Sequence, residues 1–324
     1  MASRKVTFKP YRREFRVALN TARQKWTERQ GFIVRVEQEG RVGYGEVAPI
    51  PEFGSETLED ARNFLERVSD CPGLEVPENL PCCAFALSSA LLPASGPLEE
   101  YAVAALLPAG NEALQALVSK VRLGYRTFKW KLGVASPDKE QLILKKILQI
   151  LPEGSRLRLD ANGAWSEEAF SQWLEFLQSY RNQVEFLEQP MSVGCEHIMS
   201  HLAEGSGISI ALDESLNGAC GFRWLDEWQG PLVIKPLLMG DCRPLLRKLS
   251  PYAERIVLSS VFETGIGVLN VLHFADALPG LRYAIGFDTQ NFSDTLSMYE
   301  TSNRLTLEDR VKILPHKLWK NLPL

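Results

Sequence analysis

The chain contains 324 residues, of which 45% are hydrophobic and 23% are charged, a composition typical of a globular protein with one large domain or two ordinary ones. Its net charge of −4 gives no reason to expect nucleic-acid binding. The basic N-terminus lacks the apolar core of a secretory signal, and the longest apolar run is too short to cross a bilayer. Six cysteines without a Cys-x-x-Cys pair indicate reduced thiols. We therefore expect a soluble, cytoplasmic protein, and its state as a monomer or a homo-oligomer stays open.

The first 96 residues carry mixed strand and helix signals and predict an N-terminal α+β domain. Residues 32–47 alternate polar and apolar side chains around Glu39-Gly40, which predicts a β-hairpin. Residues 55–68 begin with serine and threonine capping signals and then show helical periodicity, while residues 81–92 predict a second, almost wholly apolar helix. The Pro-Ala-Ser-Gly-Pro segment at 93–97 interrupts the pattern, so we place a domain boundary there.

Beyond this boundary, strand-like segments alternate with helical ones. The predicted strands span residues 101–107, 127–133, 156–161, 184–189, 208–213, 231–236, 255–260 and 282–287. Strands with helical crossovers predict an α/β fold, a (β/α)8 barrel over residues 97–300. A doubly wound open sheet is the alternative, weakened because the glycine-rich dinucleotide fingerprint is missing. Residues 301–324 follow the eighth strand, and we expect them to pack back on the N-terminal domain.

Charged residues stand at the ends of the second to sixth predicted strands, where a parallel barrel gathers its active-site side chains. They are Lys129, Lys131, Asp160, Glu188, Asp213 and Lys235. Lys129 and Lys131 are two residues apart in a strand, so their side chains share one face about 7 Å apart. Repulsion between two ammonium groups lowers a pKa toward neutrality, which would make one of them a base. Taken alone, the pair also fits an edge strand with solvated charges.

The three carboxylates, Asp160, Glu188 and Asp213, form an all-oxygen set at consecutive strand ends. Such a set suits Mg²⁺, which prefers hard oxygen ligands and leaves positions for substrate or water. A buried salt-bridge network that supports the barrel is the alternative interpretation. Charges at so many successive strand ends favour catalysis, because burying a charge is costly.

Three other patterns are weaker. The Gly-Tyr-Gly run at 43–45 lies inside a strand pattern with no helix start after it, so it is a poor phosphate loop. His197 and His201 are four residues apart, but no HExxH motif surrounds them, and a solvated helix face is the simpler interpretation. Ser259 and Ser260 lack the GxSxG sequence of a nucleophile elbow.

With these motifs the chain resembles the enolase superfamily, and within it the muconate-lactonizing-enzyme-like group. The motifs that carry the resemblance follow the family's order over nearly the whole chain: GYGEVAPIPEFGSETLEDA, KWK, RLDANGAW, FLEQP, ALDES, VIKP and SSVFETGIG. The resemblance implies a modified TIM barrel with a capping domain formed by residues 1–96. It also implies that the polar segment 20–31 is a loop that folds over the active site.

The resemblance assigns roles to the strand-end residues. It implies that the ligands of Mg²⁺, or of Mn²⁺ in its place, are Asp160, Glu188 and Asp213. Lys131 would be the base that removes the proton α to a carboxylate, Lys235 would stabilise the enolate from the opposite side, and Lys129 would tune the base. The residues that would support the metal ligands are Asn162, Arg158 and Glu214. Backbone N–H groups would bind a succinyl carboxylate around Ser259, Ser260 and Gly286.

The reaction implied by the resemblance is elimination of water from 2-succinyl-6-hydroxy-2,4-cyclohexadiene-1-carboxylate through a metal-stabilised enediolate. It gives 2-succinylbenzoate in menaquinone or phylloquinone biosynthesis. The alternatives are an N-succinylamino acid racemase, a dipeptide epimerase and a muconate cycloisomerase. The DxD motif typical of dipeptide epimerases is missing, because Asp288 is followed by Thr289 and Gln290. A non-catalytic barrel is least favoured, since no expected ligand or base is missing.

Overall fold

The structure, a computed structural model, describes residues 4–20, 25–71, 73–93, 98–289, 291–298, 300 and 302–322. It begins with a three-stranded antiparallel sheet formed by β1 (Lys5–Asn20), β2 (Lys25–Gln38) and β3 (Arg41–Val47). Glu39 and Gly40 connect β2 to β3 with backbone φ angles of 53° and 75°, as a type I′ hairpin turn requires. The hairpin predicted for residues 32–47 is therefore confirmed.

Two helices pack against this sheet, and both correspond to helices predicted from the sequence. Helix α1 (Leu58–Asp70) begins with a reciprocal capping box between Thr57 and Asp60. Helix α2 (Pro81–Ser89) is almost entirely buried. The buried carboxylate of Glu56 accepts two amide hydrogens from the first turn of α2, where a negative charge is favourable.

Gly43 and Gly45 of β3 allow the sheet to approach α2 closely. A β-carbon at Gly43 would lie 1.7 Å from the carbonyl oxygen of Ala90, and one at Gly45 would lie 2.0 Å from that of Ala86. Only a residue without a side chain fits at these distances. The Gly-Tyr-Gly run thus serves packing, in agreement with its rejection as a phosphate loop.

Eight strand segments close into a barrel. Five of them pair in parallel, in the order β5 (Ala104–Leu107), β6 (Thr127–Lys131), β7 (Arg156–Asp160), β8 (Val184–Glu188) and β9 (Ile210–Ala211). Two more, β10 (Leu232–Ile234) and β11 (Ile256–Leu258), pair with each other. The bridges that complete the ring are Leu212–Leu232, Ser259–Gly286 and Val103–Ile285. The predicted (β/α)8-type fold is confirmed, with an eighth segment held by isolated bridges rather than by a regular strand.

The barrel helices lie between successive strands along the chain. They are α3 (Glu112–Arg122), α4 (Pro137–Ile150), α5 (Glu167–Leu177), α6 (Glu196–Ala203), α7 (Trp224–Glu227), α8 (Cys242–Leu249) and α9 (Gly265–Asp276). Their apolar faces join the main hydrophobic core with outward strand residues such as Leu157 and Leu159. Within the described residues no helix is both long and apolar enough for a membrane span.

Most of the polar loop predicted for residues 20–31 is strand instead, because β1 extends to Asn20 and β2 begins at Lys25. The rest of the predicted loop, residues 21–24, lies outside the described residues. The long hairpin of β1 and β2 is fixed to the barrel by two buried arginines. Arg13 donates to the carbonyl oxygen of Glu263 at 2.7 Å, and Arg29 donates to that of Val261 at 3.0 Å.

Glu46 of β3 joins the sheet to barrel helix α9. Its buried carboxylate accepts hydrogen bonds from the hydroxyl of Tyr11 at 2.6 Å, the amide of Thr264 at 2.9 Å and the amide of Gly267 at 3.0 Å. The donors come from both parts of the molecule, and together they satisfy a charge that would otherwise be costly to bury.

The C-terminal segment returns to the start of the chain. Strand β12 (Arg304–Leu305) pairs with β4 (Tyr101–Ala102), and two short helices follow, α10 (Leu307–Lys312) and α11 (Pro315–Asn321). Leu318 of α11 packs in one cluster with Tyr11 and Ile33 of the first two strands. The division of the chain at residues 96 and 300 stays a prediction.

Candidate active site

Strand β6 separates its lysines from its aromatic residues. Phe128 and Trp130 are fully buried in the main hydrophobic core. Lys129 and Lys131 alternate with them and therefore point into the barrel. The alternation that the sequence predicted for this strand is confirmed.

The three predicted metal ligands stand on neighbouring strands. In the sheet register Lys131 lies beside Asp160, and Asp160 lies beside Glu188. Asp213 follows the end of β9. All three carboxylate residues are at most 5% exposed. They meet at the carboxyl-terminal mouth of the barrel, where barrel enzymes carry their chemistry.

Two lysines pair with these carboxylates from opposite sides. The Nζ atom of Lys129 lies 2.8 Å from Asp160 Oδ2 and 2.7 Å from Glu188 Oε1. Lys235, at the end of β10, forms an ion pair with Asp213. Because β6 and β10 face each other across the ring, a substrate bound between them would have a lysine on each side.

The two lysines of β6 differ in their pKa values. Burial lowers the pKa of Lys131, and Lys129 lowers it further, while Asp160 partly opposes them. Burial also acts to lower the pKa of Lys129, but Asp160 and Glu188 outweigh it and raise that pKa. Lys131 is thus the candidate base, and Lys129 is a fixed cation beside it.

The carboxylates themselves are suited to a divalent cation. Burial, with Asp160 and Asp213 nearby, raises the pKa of Glu188, whereas Lys235 and Lys129 outweigh burial and lower the pKa of Asp213. In the described chain no three His, Cys, Asp or Glu side chains are arranged as a metal site, and the three carboxylates are paired with Lys129 and Lys235. The crowded, all-oxygen donor set nevertheless fits Mg²⁺.

Asn162 and Glu214 contact this set, as expected. The Asn162 amide donates to Asp160 Oδ1 at 3.0 Å, and its side-chain nitrogen donates to Glu214 Oε1 at 3.3 Å. Burial, together with Asp213 and Asp160, raises the pKa of Glu214 to about 7. A role for both residues in supporting the ligands stays a prediction.

Arg158 precedes Asp160 by two residues on β7 and lies deeper in the barrel. Its Nε donates to Glu185 Oε2 at 2.5 Å and its Nη1 donates to the carbonyl oxygen of Ala284 at 2.8 Å. Within the described chain no hydrogen bond joins it to Asp160, and its support of that ligand stays a prediction. Its Nη2 is buried and has no partner among the described residues.

The backbone N–H groups predicted to bind a succinyl carboxylate are used by the barrel itself. The amide of Ser260 donates to Gly286 at 3.1 Å, the amide of Gly286 donates to Leu258 at 2.8 Å, and the amide of Ser259 donates to Ile234 at 2.9 Å. These amides pair the last three strand segments of the barrel and are not free for a ligand. Binding of a succinyl carboxylate in this region stays a prediction.

Two residues of the site were not predicted. The side-chain oxygen of Gln189 accepts hydrogen bonds from the amides of Asp213 and Ser215 at 3.0 and 3.2 Å, which fixes the backbone at one predicted metal ligand. Because Gln189 directly follows the predicted ligand Glu188 in the sequence, its side-chain amide could have been predicted as part of the site. The ring of Phe53 lies 4.8 Å from Lys235 Nζ; nothing in the periodicity of the sequence points to this contact between distant segments.

His197 and His201 lie on the exposed face of α6. They border a surface cavity of about 690 Å³ together with Glu227 and Trp228, apart from the carboxylates at the barrel mouth. The predicted solvated helix face is confirmed.

The chain matches two protein-family models that together cover most of its length. Residues 4–94 match the MenC N-terminal domain, and residues 112–309 match the enolase C-terminal domain-like family. The second match alone spans more than half of the chain.

Similar proteins agree with these matches. The o-succinylbenzoate synthase of Thermosynechococcus vestitus is 35% identical over 313 residues, which cover 90% of this chain and 95% of that protein. The o-succinylbenzoate synthase of Proteus mirabilis is 30% identical over 275 residues, covering 80% and 83% of the two chains.

Solved structures give the same result. The crystal structure of o-succinylbenzoate synthase from Thermosynechococcus elongatus, complexed with Mg in the active site, has a TM-score of 0.83 and 33% identity and covers 98% of this chain and all of that one. The L-Ala-D/L-Glu epimerase of Bacillus subtilis has a TM-score of 0.79 at 16% identity, covering 93% of this chain and 94% of the other, and shares the fold. The chain therefore belongs to the o-succinylbenzoate synthase family of the enolase superfamily.

Proposed function

We propose that this chain is a magnesium-dependent hydro-lyase that dehydrates 2-succinyl-6-hydroxy-2,4-cyclohexadiene-1-carboxylate to 2-succinylbenzoate. The product would serve menaquinone or phylloquinone biosynthesis. The observation that carries the proposal is a set of three buried carboxylates in a closed barrel, with Lys129 and Lys131 on one side and Lys235 on the other. The family membership supports the same reaction.

Lys131 would perform the difficult step, removal of the weakly acidic proton next to the substrate carboxylate. Burial and the neighbouring Lys129 lower its pKa, which favours the neutral amine that a base requires. The residues that would hold Mg²⁺ are Asp160, Glu188 and Asp213. When bound, the ion would supply Lewis-acid stabilisation of the negative charge on the substrate carboxylate.

The same lysine would complete the elimination. Once the α-proton has moved to Lys131, the C–O bond at the adjacent ring carbon breaks. Lys131 returns the proton to the leaving hydroxyl, which departs as water from the same face. Lys235, held by Asp213 and by the ring of Phe53, places a positive charge on the opposite side of the developing anion.

An N-succinylamino acid racemase is the second candidate, because a racemase needs one lysine on each face of the substrate. The ion pair of Lys235 with Asp213 disfavours it as a base, whereas Lys131 forms no ion pair within the described chain. A dipeptide epimerase is disfavoured further, since Lys120 already neutralises Asp288 with a salt bridge of 2.5 Å.

Two finer proposals follow from the composition of the site and the chain. Mn²⁺ should replace Mg²⁺, because carboxylate ligands suit both ions. The enzyme should work in a reducing compartment such as the cytoplasm, where its six free cysteines are stable.

The test is the ultraviolet absorbance change as the cyclohexadiene substrate becomes 2-succinylbenzoate. Wild type with Mg²⁺ should convert the substrate, while wild type with EDTA and the Lys131→Ala variant with Mg²⁺ should not. Lys146→Ala, at an exposed lysine of α4, is the matched control and should remain active. Absence of conversion by folded, Mg²⁺-loaded wild type would overturn the proposal and favour α-proton exchange on N-succinylamino acids.

A further inference from the structure

A buried carboxylate lies behind the loop that follows Lys131. Glu140, in the first turns of α4, is only 3% exposed although it carries a charge. Its Oε2 accepts the amide of Gly133 at 3.1 Å, and its Oε1 accepts the amides of Val134 and Ala135 at 2.9 and 3.0 Å. Three consecutive backbone amides therefore converge on one carboxylate.

The segment held in this way borders the candidate active site. The amide of Leu132, directly after Lys131, donates to the carbonyl oxygen of Asp160 at 2.7 Å. Gly133 has a φ of 76°, and a β-carbon there would lie 3.2 Å from that of Ala164, in the loop that follows Asp160. The chain beyond the base is thus packed against the loop beyond a metal ligand, and the Glu140 carboxylate holds the next three amides.

We propose that Glu140 is a positioning residue for Lys131. Its carboxylate fixes the backbone directly after Lys131. The flexible lysine side chain is then attached to a rigid backbone, which directs its Nζ toward the substrate α-carbon. This inference rests on the proposed function, because it requires Lys131 to be the base. A misplacement of reacting groups by about 1 Å costs about 100-fold in rate, so loss of the anchor should slow proton removal specifically.

The chain contains a matched carboxylate for comparison. Glu196, in the first turn of α6, is 1% exposed, and both its oxygens accept the amide of Gly194 at 3.0 and 3.1 Å. It holds a loop through one backbone amide rather than three, and that loop follows Glu188 and not a predicted base. Removing Glu196 therefore reports on the loss of a buried carboxylate without displacement of Lys131.

The experiment uses the full-length, Mg²⁺-loaded enzyme and the variants Glu140→Ala, Glu140→Gln and Glu196→Ala. We would measure kcat, KM and the primary isotope effect with substrate deuterated at the α-carbon, and amide hydrogen exchange over residues 132–136. Glu140→Ala should lower kcat by about 100-fold, leave KM little changed, show a full isotope effect and exchange faster. Glu140→Gln should have a kcat between those of Glu140→Ala and wild type, because its side-chain oxygen can still accept hydrogen bonds from the amides of Val134 and Ala135.

The control separates positioning from general stability. Glu196→Ala should lose stability but show no larger isotope effect than wild type. The inference is overturned if folded Glu140→Ala keeps the wild-type kcat, or if its isotope effect is smaller than that of wild type. Should Glu140→Ala fail to fold, an unchanged kcat in Glu140→Gln with faster exchange would overturn the inference equally. Inactive wild type would overturn the proposed function and this inference with it, whereas active wild type with unaffected Glu140 variants would overturn the inference alone.

Discussion

The ammonium nitrogen of Lys129 lies 2.7 Å from Oε1 of Glu188, so a fixed cation is built into the carboxylate set. Lys129→Met would leave Glu188 and Asp160 buried without this partner. Breaking a buried pair costs about 3–5 kcal/mol, and we expect a loss of this order in the free energy of unfolding with EDTA. Denaturant unfolding of the variant and wild type, each with EDTA and with Mg²⁺, measures it. Added Mg²⁺ should recover part of the loss.

Lys131→Met, on the same strand face, is the control for Lys129→Met. Lys131 forms no ion pair within the described chain, and burial already disfavours its charge. Its replacement should therefore leave the unfolding free energy in EDTA nearly unchanged. Equal stability of wild type and Lys129→Met in EDTA would contradict the role of Lys129 as a structural cation.

Glu263 should make stability depend on pH. The residue is 1% exposed, and burial raises its pKa from 4.5 to about 7. Between these values the folded protein holds a proton that the unfolded chain has released, so the stabilisation is complete below pH 4.5 and is lost as pH rises through 7. The 2.5-unit shift corresponds to about 3 kcal/mol. Unfolding of wild type and Glu263→Gln from pH 5 to pH 8 should show a flatter curve for the variant; parallel curves would refute this assignment.

Gly45→Ala should be strongly destabilising, because the new β-carbon would lie 2.0 Å from the carbonyl oxygen of Ala86 and the helix backbone would have to move. Overpacking of this kind costs about 1–3 kcal/mol. Gly73→Ala is the control, since nothing lies within 4 Å of its added carbon and its φ is not positive. Thermal unfolding should show a lower Tm for the first variant and little change for the second. Similar Tm values would mean that β3 and α2 separate easily.

Much of the barrel could be predicted from the sequence because local pattern and global fold agree there. In β6 the same alternation that buries Phe128 and Trp130 exposes Lys129 and Lys131 to the barrel interior. The strand-end rule then brings the charges of separate strands to one place. No knowledge of distant contacts was needed for either step.

The sequence could not predict contacts between segments that are far apart along the chain. The amides of Ser260 and Gly286 are consumed by barrel closure, which depends on the exact pairing of an eighth segment without regular strand structure. Phe53 reaches Lys235 across 182 positions of the chain (235 − 53). Arg158 shares a strand face with Asp160 but bends toward Glu185, a choice that depends on the neighbouring strand. Periodicity contains no information about such partners.

The contacts of Glu46 limit how pieces of this enzyme can be exchanged with those of its relatives. Its carboxylate is satisfied by Tyr11 on one side and by Thr264 and Gly267 on the other. A chimaera that takes its first strands from one homologue and its barrel from another inherits only half of this arrangement, and a buried anion is then left with too few donors. Recombination between relatives should therefore succeed when all of these residues come from the same parent, although they lie far apart along the chain.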